Sequence, residues 1–346
     1  MNPTEGQSST TSETVHQWRH LAHRHQVGWG ETLLIALNIH GLHSHRDAGE
    51  KVRLKVRPPE DEVYQLVVPT GVATSPFTVA DSELRVDGTP VAAVTELRGD
   101  TAVSGYLRAG GRAATIHPFA GGDTDPQAAQ SAYSRLLADL AITLPPGNTL
   151  ADLDEVTVTA SSYTDEKAAL ADLVTLRTAM FGLDMTARIG LLSSMVRSES
   201  ALADLADRVA PFTLFLDADN HTEVDVDSTD SPDAARVLAA ARGCGHDTSF
   251  TYTVGLEPLD VMRDRLLPLA QYTTVWPSLY ILQSPDPTEP ADHIAEPADR
   301  LDFFLQARTM LERIFAPTSL VPEPWRCYRG LWYREYAGEP LPGPWI

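Results

Sequence analysis

Cysteine is nearly missing from this chain of 346 residues. There are two, Cys244 and Cys327, and neither has a CxxC neighbour. That excludes a disulfide framework and a cysteine-based metal motif, and leaves reduced thiols as the expectation. Lysine is almost as scarce, with only Lys51, Lys55 and Lys167 among 27 basic residues. Positive charge is therefore carried by arginine, and 47 acidic residues bring the formal charge to −20. A surplus of that size repels nucleic acid and anionic membrane, so neither is an expected partner. No run of 18 apolar residues occurs, so no membrane-spanning helix is expected. The opening "MNPTEGQSSTTSETV" lacks the basic start and apolar middle of a secretion signal; residues 1–13 read as a disordered leader, and a cytoplasmic location follows. GxGxxG, Walker and GxSxG patterns are absent, which removes support for dinucleotides, nucleoside triphosphates and a serine-hydrolase elbow.

What is present divides by texture. Residues 14–49 read as a helical segment; 14–46 hold seven of the eleven histidines. His16, His20 and His23 stand at i, i+4 and i+7, which would place three imidazoles on one face. No carboxylate or cysteine completes a coordination set there, so an amphipathic helix is the expectation and no metal site is assigned. His40, His43 and His45 are read the same way. Residues 50–111 alternate as strands do and are broken by turn residues, which suggests a small antiparallel sheet with a hairpin at Asp87-Gly88.

From residue 112 to 316, strands alternate with helices in six β–α units. "RAATIHPF" leads to a helix opened by Asp125 and Pro126, and "EVTVTASSY" to a helix closed by Gly182. Apolar strands with helical crossovers predict a parallel sheet buried on both faces, in an α/β fold. Spacing alone leaves a doubly wound sheet and a partial (β/α)6 barrel both open. In a barrel, functional groups gather at the C-terminal strand ends. Those ends offer His117, then Ser161, Ser162 and Tyr163, then Ser193 and Ser194. The fourth, in "DADNHTE", gives Asp217, Asp219, Asn220, His221 and Glu223. Glu257, Gln283, Ser284 and Asp286 follow. Such a mouth could bind a divalent metal, a ribose diol or a cationic amine, or supply an acid and a base. In the tail, residues 317–346, "PWRCYRGLWYREY" mixes arginines with aromatics; packing on the barrel is the expectation, with Arg329 the best candidate for a ligand contact.

The order "YQLVVPT…SPF…LRVDG…GDTAVSGYLRAGGRAAT", then "TYTVGLEPLDVMRDRLLPLAQYTTVWPSLYILQSP" and the closing "PEPWRCYRGLWYRE", resembles the radical S-adenosylmethionine superfamily. The similarity lies with its biotin- and thiamine-synthase-like and aromatic amino acid lyase-like branch, and covers roughly residues 50–336. It implies a partial TIM-like barrel with a β-rich lead-in and a closing tail. The family's CxxxCxxC loop after the first barrel strand is here "HPFAGGDTDP", and the glycine-containing end of its second strand is "TASSYTDE". A [4Fe–4S] cluster needs thiolate ligands that this chain cannot supply, so no cluster and no radical cleavage are expected. The resemblance implies that S-adenosylmethionine, or a related small polar metabolite, could still bind. Ser161, Ser162, Tyr163, Asp219, Asn220, His221, Gln283 and Arg329 would be its contacts, and His117, Asp217 or Glu257 the base of a polar transfer, cyclisation or elimination. The alternatives are a silent homologue serving a pathway partner, and a histidine- and carboxylate-ligated metalloenzyme. A homodimer is also open.

Overall fold

The computed structural model describes residues 12–43, 50–59, 62–99, 105–107, 112–118, 125–159, 163–219, 234–283, 300–323 and 329–333. The first helix is α1 (Glu13–His25), capped by the Ser12 hydroxyl, which accepts the Val15 amide at 3.1 Å. It stops at Gln26, whose φ of 56° is left-handed, and α2 (Trp29–His40) starts three residues later. The histidine-rich stretch is therefore two helices. His16, His20 and His23 are exposed on α1, whereas α2 is buried along nearly all its length.

The β-rich segment forms a five-stranded antiparallel sheet in the order β2-β1-β5-β4-β3. Its strands are β1 (Lys51–Arg57), β2 (Tyr64–Pro69), β3 (Phe77–Ala80), β4 (Glu83–Val86) and β5 (Thr89–Gly99). Asp87-Gly88 makes the turn between β4 and β5 with φ values of 47° and 81°. Both signs are those of a tight hairpin whose twist matches its strands. This sheet packs on the two N-terminal helices; Trp18 of α1 meets Phe77 of β3 at 5.3 Å between ring centroids.

The rest is a second, mostly parallel sheet ordered β12-β11-β10-β9-β8-β7-β6. A short antiparallel strand, β6 (Gly105–Leu107), flanks β7 (Ala113–Ile116). Then β8 (Glu155–Thr159), β9 (Arg188–Leu192), β10 (Phe212–Asp217), β11 (Asp247–Val254) and β12 (Ser278–Ile281) follow as parallel neighbours in chain order. The helices between them are α3 (Pro126–Ala141), α4 (Glu166–Phe181), α5 (Glu199–Arg208), α6 (Ala234–Gly243) and α7 (Leu259–Ala270), and α8 (Arg300–Phe315) comes after β12. The whole is mixed α/β: six parallel strands curl into a half-barrel compatible with a partial TIM-like barrel, beside a separate antiparallel sheet. No helix among the described residues is long and apolar enough to cross a membrane.

Two ties hold the parts together. The buried Arg308 guanidinium bridges Glu31 of α2 at 2.7 Å and Glu312 at 3.1 Å, and donates to the Leu331 carbonyl at 3.0 Å. The Arg177 guanidinium fills the foot of the sheet, donating to the carbonyls of Val209, Ala187 and Pro211 at 2.8 Å each. Three carbonyls replace the water it loses, and burial still lowers its pKa to about 10.

Candidate functional site

Side chains alternate across a strand, and residues paired in a parallel ladder share a face. The register of the half-barrel therefore sorts every strand residue into one of two sets. One set holds Val156, Val158, Ile189, Leu191, Leu214, Leu216, Phe250, Val254 and Ile281, all in the hydrophobic core. This is the helix side: Phe250 stacks near Phe315 of α8 at 6.1 Å. The other set, on the inner face, is Ala113, Thr115, Glu155, Thr157, Thr159, Arg188, Gly190, Leu192, Thr213, Phe215, Asp217, Asp247, Ser249, Thr251, Thr253, Ser278 and Tyr280. The expectation of apolar strands is corrected here, since hydroxyls and carboxylates stand beside Ala113, Leu192 and Phe215 on the inner face, while its lower part is buried as a sheet covered on both faces would be. The signal was present in "EVTVT" and "SFTYTV", where every second residue is polar.

Depth divides this face into a floor and a mouth. On the floor, Thr115, Glu155, Thr157, Thr213, Ser249 and Ser278 are buried. The Thr157 hydroxyl donates to the Glu155 carboxylate at 2.5 Å, and Ser249 to the Val275 carbonyl at 3.0 Å. The Thr213 and Ser278 hydroxyls are buried without a hydrogen-bond partner. Gly190 leaves space that these groups close over: a Cβ there would lie 3.1 Å from the Thr157 hydroxyl and 3.2 Å from both Glu155 Oε1 and the Phe215 ring.

At the mouth, exposure rises. Thr159, Asp217, Thr251, Thr253 and Tyr280 are half-buried and His117 is exposed. His117 Nδ1 and the Thr159 hydroxyl share a hydrogen bond of 2.8 Å. Asp217 Oδ1 accepts the Asp219 amide at 3.0 Å, while the Ser194 hydroxyl donates to the Asp217 carbonyl at 3.3 Å. Asp219 itself turns to β11, accepting the Thr253 amide at 2.6 Å and its hydroxyl at 2.7 Å. Beside β12, the Arg329 guanidinium lies 5.1 Å from the centre of the Tyr280 ring. A row of polar groups thus runs along the strand ends, negative at Asp217 on β10 and positive at Arg329 beside β12.

The other sequence candidates go elsewhere. Tyr163 is buried, and its hydroxyl donates to Asp172 at 2.6 Å, as does that of Tyr133. Burial, and then the Asp172 charge, push the Tyr163 pKa far up, so it stays a neutral donor tying the segment before α4 to that helix, while Tyr133 links α3 to the same carboxylate. Glu257 faces the helix side, where it accepts the Tyr252 hydroxyl at 2.9 Å and both arms of the Arg265 guanidinium. Gln283 donates to Asn38 at 2.9 Å and to the Val67 carbonyl at 3.0 Å, joining the two sheets; its own carbonyl oxygen is buried without a partner. Ser161, Ser162, Asn220 and His221 lie outside the described residues, as do Glu223, His45, Ser284 and Asp286. Among the described residues no group of three histidine, cysteine or acidic side chains is gathered as a metal site would need.

No family model matches the chain, and no curated protein does. Among solved structures, a chain described as a glycoside hydrolase family 20 β-N-acetylglucosaminidase superposes with a TM-score of 0.26 at 11% identity. The match covers 84% of this chain and 72% of that one. At that score the likeness bears on neither ligand nor reaction.

Proposed function

We propose that the half-barrel binds S-adenosylmethionine, or a similarly small cationic metabolite, at the mouth of its inner face and carries out polar rather than radical chemistry on it. Asp217 carries the reading. Its carboxylate stands on the inner face at the end of β10, oriented by the Asp219 amide, with no ion-pair partner among the described residues. A carboxylate held in that position, half out of water, attracts a sulfonium or ammonium group more strongly than one in bulk solvent. The hydroxyls of Thr251 and Thr253 and the imidazole of His117 add donors and acceptors along the same row.

A sulfonium reacts without an added electron. A nucleophile attacks the carbon next to sulfur, the C–S bond breaks with its electron pair on sulfur, and a neutral thioether leaves. His117 or Asp217 would take the nucleophile's proton. An iron–sulfur cluster does not fit these residues. Of the two thiols, Cys244 sits after α6 at the foot of β11, at the opposite end of the strands from the mouth. One further cysteine cannot make up the thiolates a four-iron cluster needs.

Calorimetric titration with S-adenosylmethionine, S-adenosylhomocysteine and methylthioadenosine tests the proposal. The expected result is a micromolar Kd, about −8 kcal/mol, for the sulfonium, and about tenfold weaker binding of the neutral thioethers. Asp217→Asn should abolish that preference while leaving thermal stability unchanged. No binding of any of the three overturns the reading.

A further inference from the structure

Away from the mouth, α7 and α8 frame an open groove of 820 Å³ that ends against the last residues of α1. Its bed is apolar, from Leu259, Leu267, Met310 and Ile314. Leu267 is 54% exposed and, with Val261 at 42%, gives α7 two of the large hydrophobic side chains that the described surface leaves in water. Arg24, Arg263 and Arg313 stand over this bed. Glu312 also lines it, but its carboxylate is turned inward to Arg308 and the Trp332 indole.

Next to the groove's lining residues, though not lining it themselves, are three carboxylates: Asp302, paired with Arg24 at 2.7 Å, Asp264, paired with Arg263 at 2.7 Å, and the exposed Asp260 that follows Leu259. A face with three guanidiniums and three carboxylates is matched to neither a purely acidic nor a purely basic partner. It is matched to itself. In a two-fold contact each patch meets its own copy, so neighbouring opposite charges become reciprocal partners across the axis. Arg263 and Asp264 are adjacent, and their pair is half or more exposed on both sides. So exposed a pair is held weakly, and exchanging it for the same pair between copies costs little. Elsewhere the charge of −20 makes two copies repel.

We propose that the α7–α8 face is the contact between two copies of this chain, with Leu267 of each entering the groove of the other and Arg263 meeting Asp264 across a two-fold axis. The groove is lined by 12 residues, fewer than the 20–30 of a standard interface, so the association is weak and concentration-dependent.

Sedimentation velocity from about 1 to about 200 µM tests it, since weak interfaces populate in that range. The expected result is a monomer–dimer equilibrium that Arg263→Asp or Asp264→Arg weakens at least tenfold. The double reversal, Arg263→Asp with Asp264→Arg, should restore it to within about threefold. Leu267→Asp should leave only monomer. All three positions changed are exposed, and an unchanged far-UV spectrum confirms the fold. A monomer throughout the range overturns the proposal. So does a dimer insensitive to the single reversals, or one that the double reversal fails to restore. The experiment needs no ligand, so its outcome is independent of what the inner face binds.

Discussion

The Asp219 carboxylate accepts both the amide and the hydroxyl of Thr253, at 2.6 and 2.7 Å, and so ties the loop after β10 to the end of β11. The Asp219 amide meanwhile fixes Asp217. Its part is to place another carboxylate. Asp219→Ala leaves the Thr253 donors without their acceptor and should cost about 1–3 kcal/mol in urea unfolding, with Asp219→Asn losing less. A cost below a few tenths of a kcal/mol for the alanine variant would contradict this role.

Gly190 is required by its neighbours on the floor. The Cβ of Gly190→Ala would press on the Thr157 hydroxyl, the Glu155 carboxylate and the Phe215 ring. Overpacking of this kind typically costs about 1–3 kcal/mol. Thermal unfolding of the alanine variant should show a lowered Tm; an unchanged Tm would mean the floor yields freely.

The Glu31–Arg308 pair is buried on both sides, with side chains 4% and 1% exposed. Glu31→Gln takes one of two carboxylates away from the Arg308 guanidinium, and loosens the amide of Tyr333 that Glu31 also accepts. Breaking one side of a buried pair costs about 3–5 kcal/mol. Replacing both partners, as in Glu31→Leu with Arg308→Met, should recover part of that loss. Chemical denaturation of the three proteins decides it.

His40 gives a pH dependence with a definite sign. Burial, and then the Arg300 charge, lower its pKa from 6.5 to about 4, while its ring stacks on Trp18 at 5.6 Å. Above pH 6.5 the imidazole is neutral whether the chain is folded or not. Between 6.5 and 4 the unfolded chain takes up the proton and the folded one does not, so stability falls as the pH falls. The total is on the order of 3 kcal/mol. Stability measured from pH 7.5 to 4 should fall more steeply for the wild type than for His40→Leu. Parallel curves would refute it.

The mixed α/β character was legible because the turns and helix starts that mark it rest on strong local chemistry. Asp125-Pro126 opens α3 by capping geometry, the Asp125 carboxylate accepting the Gln127 amide at 3.3 Å. Asp87-Gly88 turns because glycine accepts a positive φ cheaply. The preceding hairpin, at Asp81-Ser82, has φ values of 54° and 61° without a glycine, so the usual marker was missing. The end of α1 was hidden for the same reason, since Gln26 holds the left-handed position. The positions of His117 and Asp217 at strand ends were legible, because the β–α rhythm locates those ends. The roles of Tyr163, Glu257 and Gln283 were not. Each is decided by a partner remote in sequence or on the far face of the sheet: Asp172, Arg265 and Asn38. The inner row of hydroxyls was legible in principle, but a search for apolar runs passes over alternation inside a parallel strand.

The segment 329–333 lies alongside β12, the Ile281 amide donating to the Arg329 carbonyl at 2.8 Å. Its Leu331, Trp332 and Tyr333 side chains are buried and anchored to α2 and α8. On the opposite flank, the three-residue β6 runs against the grain of the parallel strands. A half-open barrel would otherwise present two rows of unsatisfied backbone amides and carbonyls, templates onto which further strands could add. Here one row is occupied by the chain's own C-terminal strap, and the other is interrupted by a strand too short and wrongly directed to recruit a parallel neighbour. The half-barrel can therefore stay open without becoming a seed for aggregation.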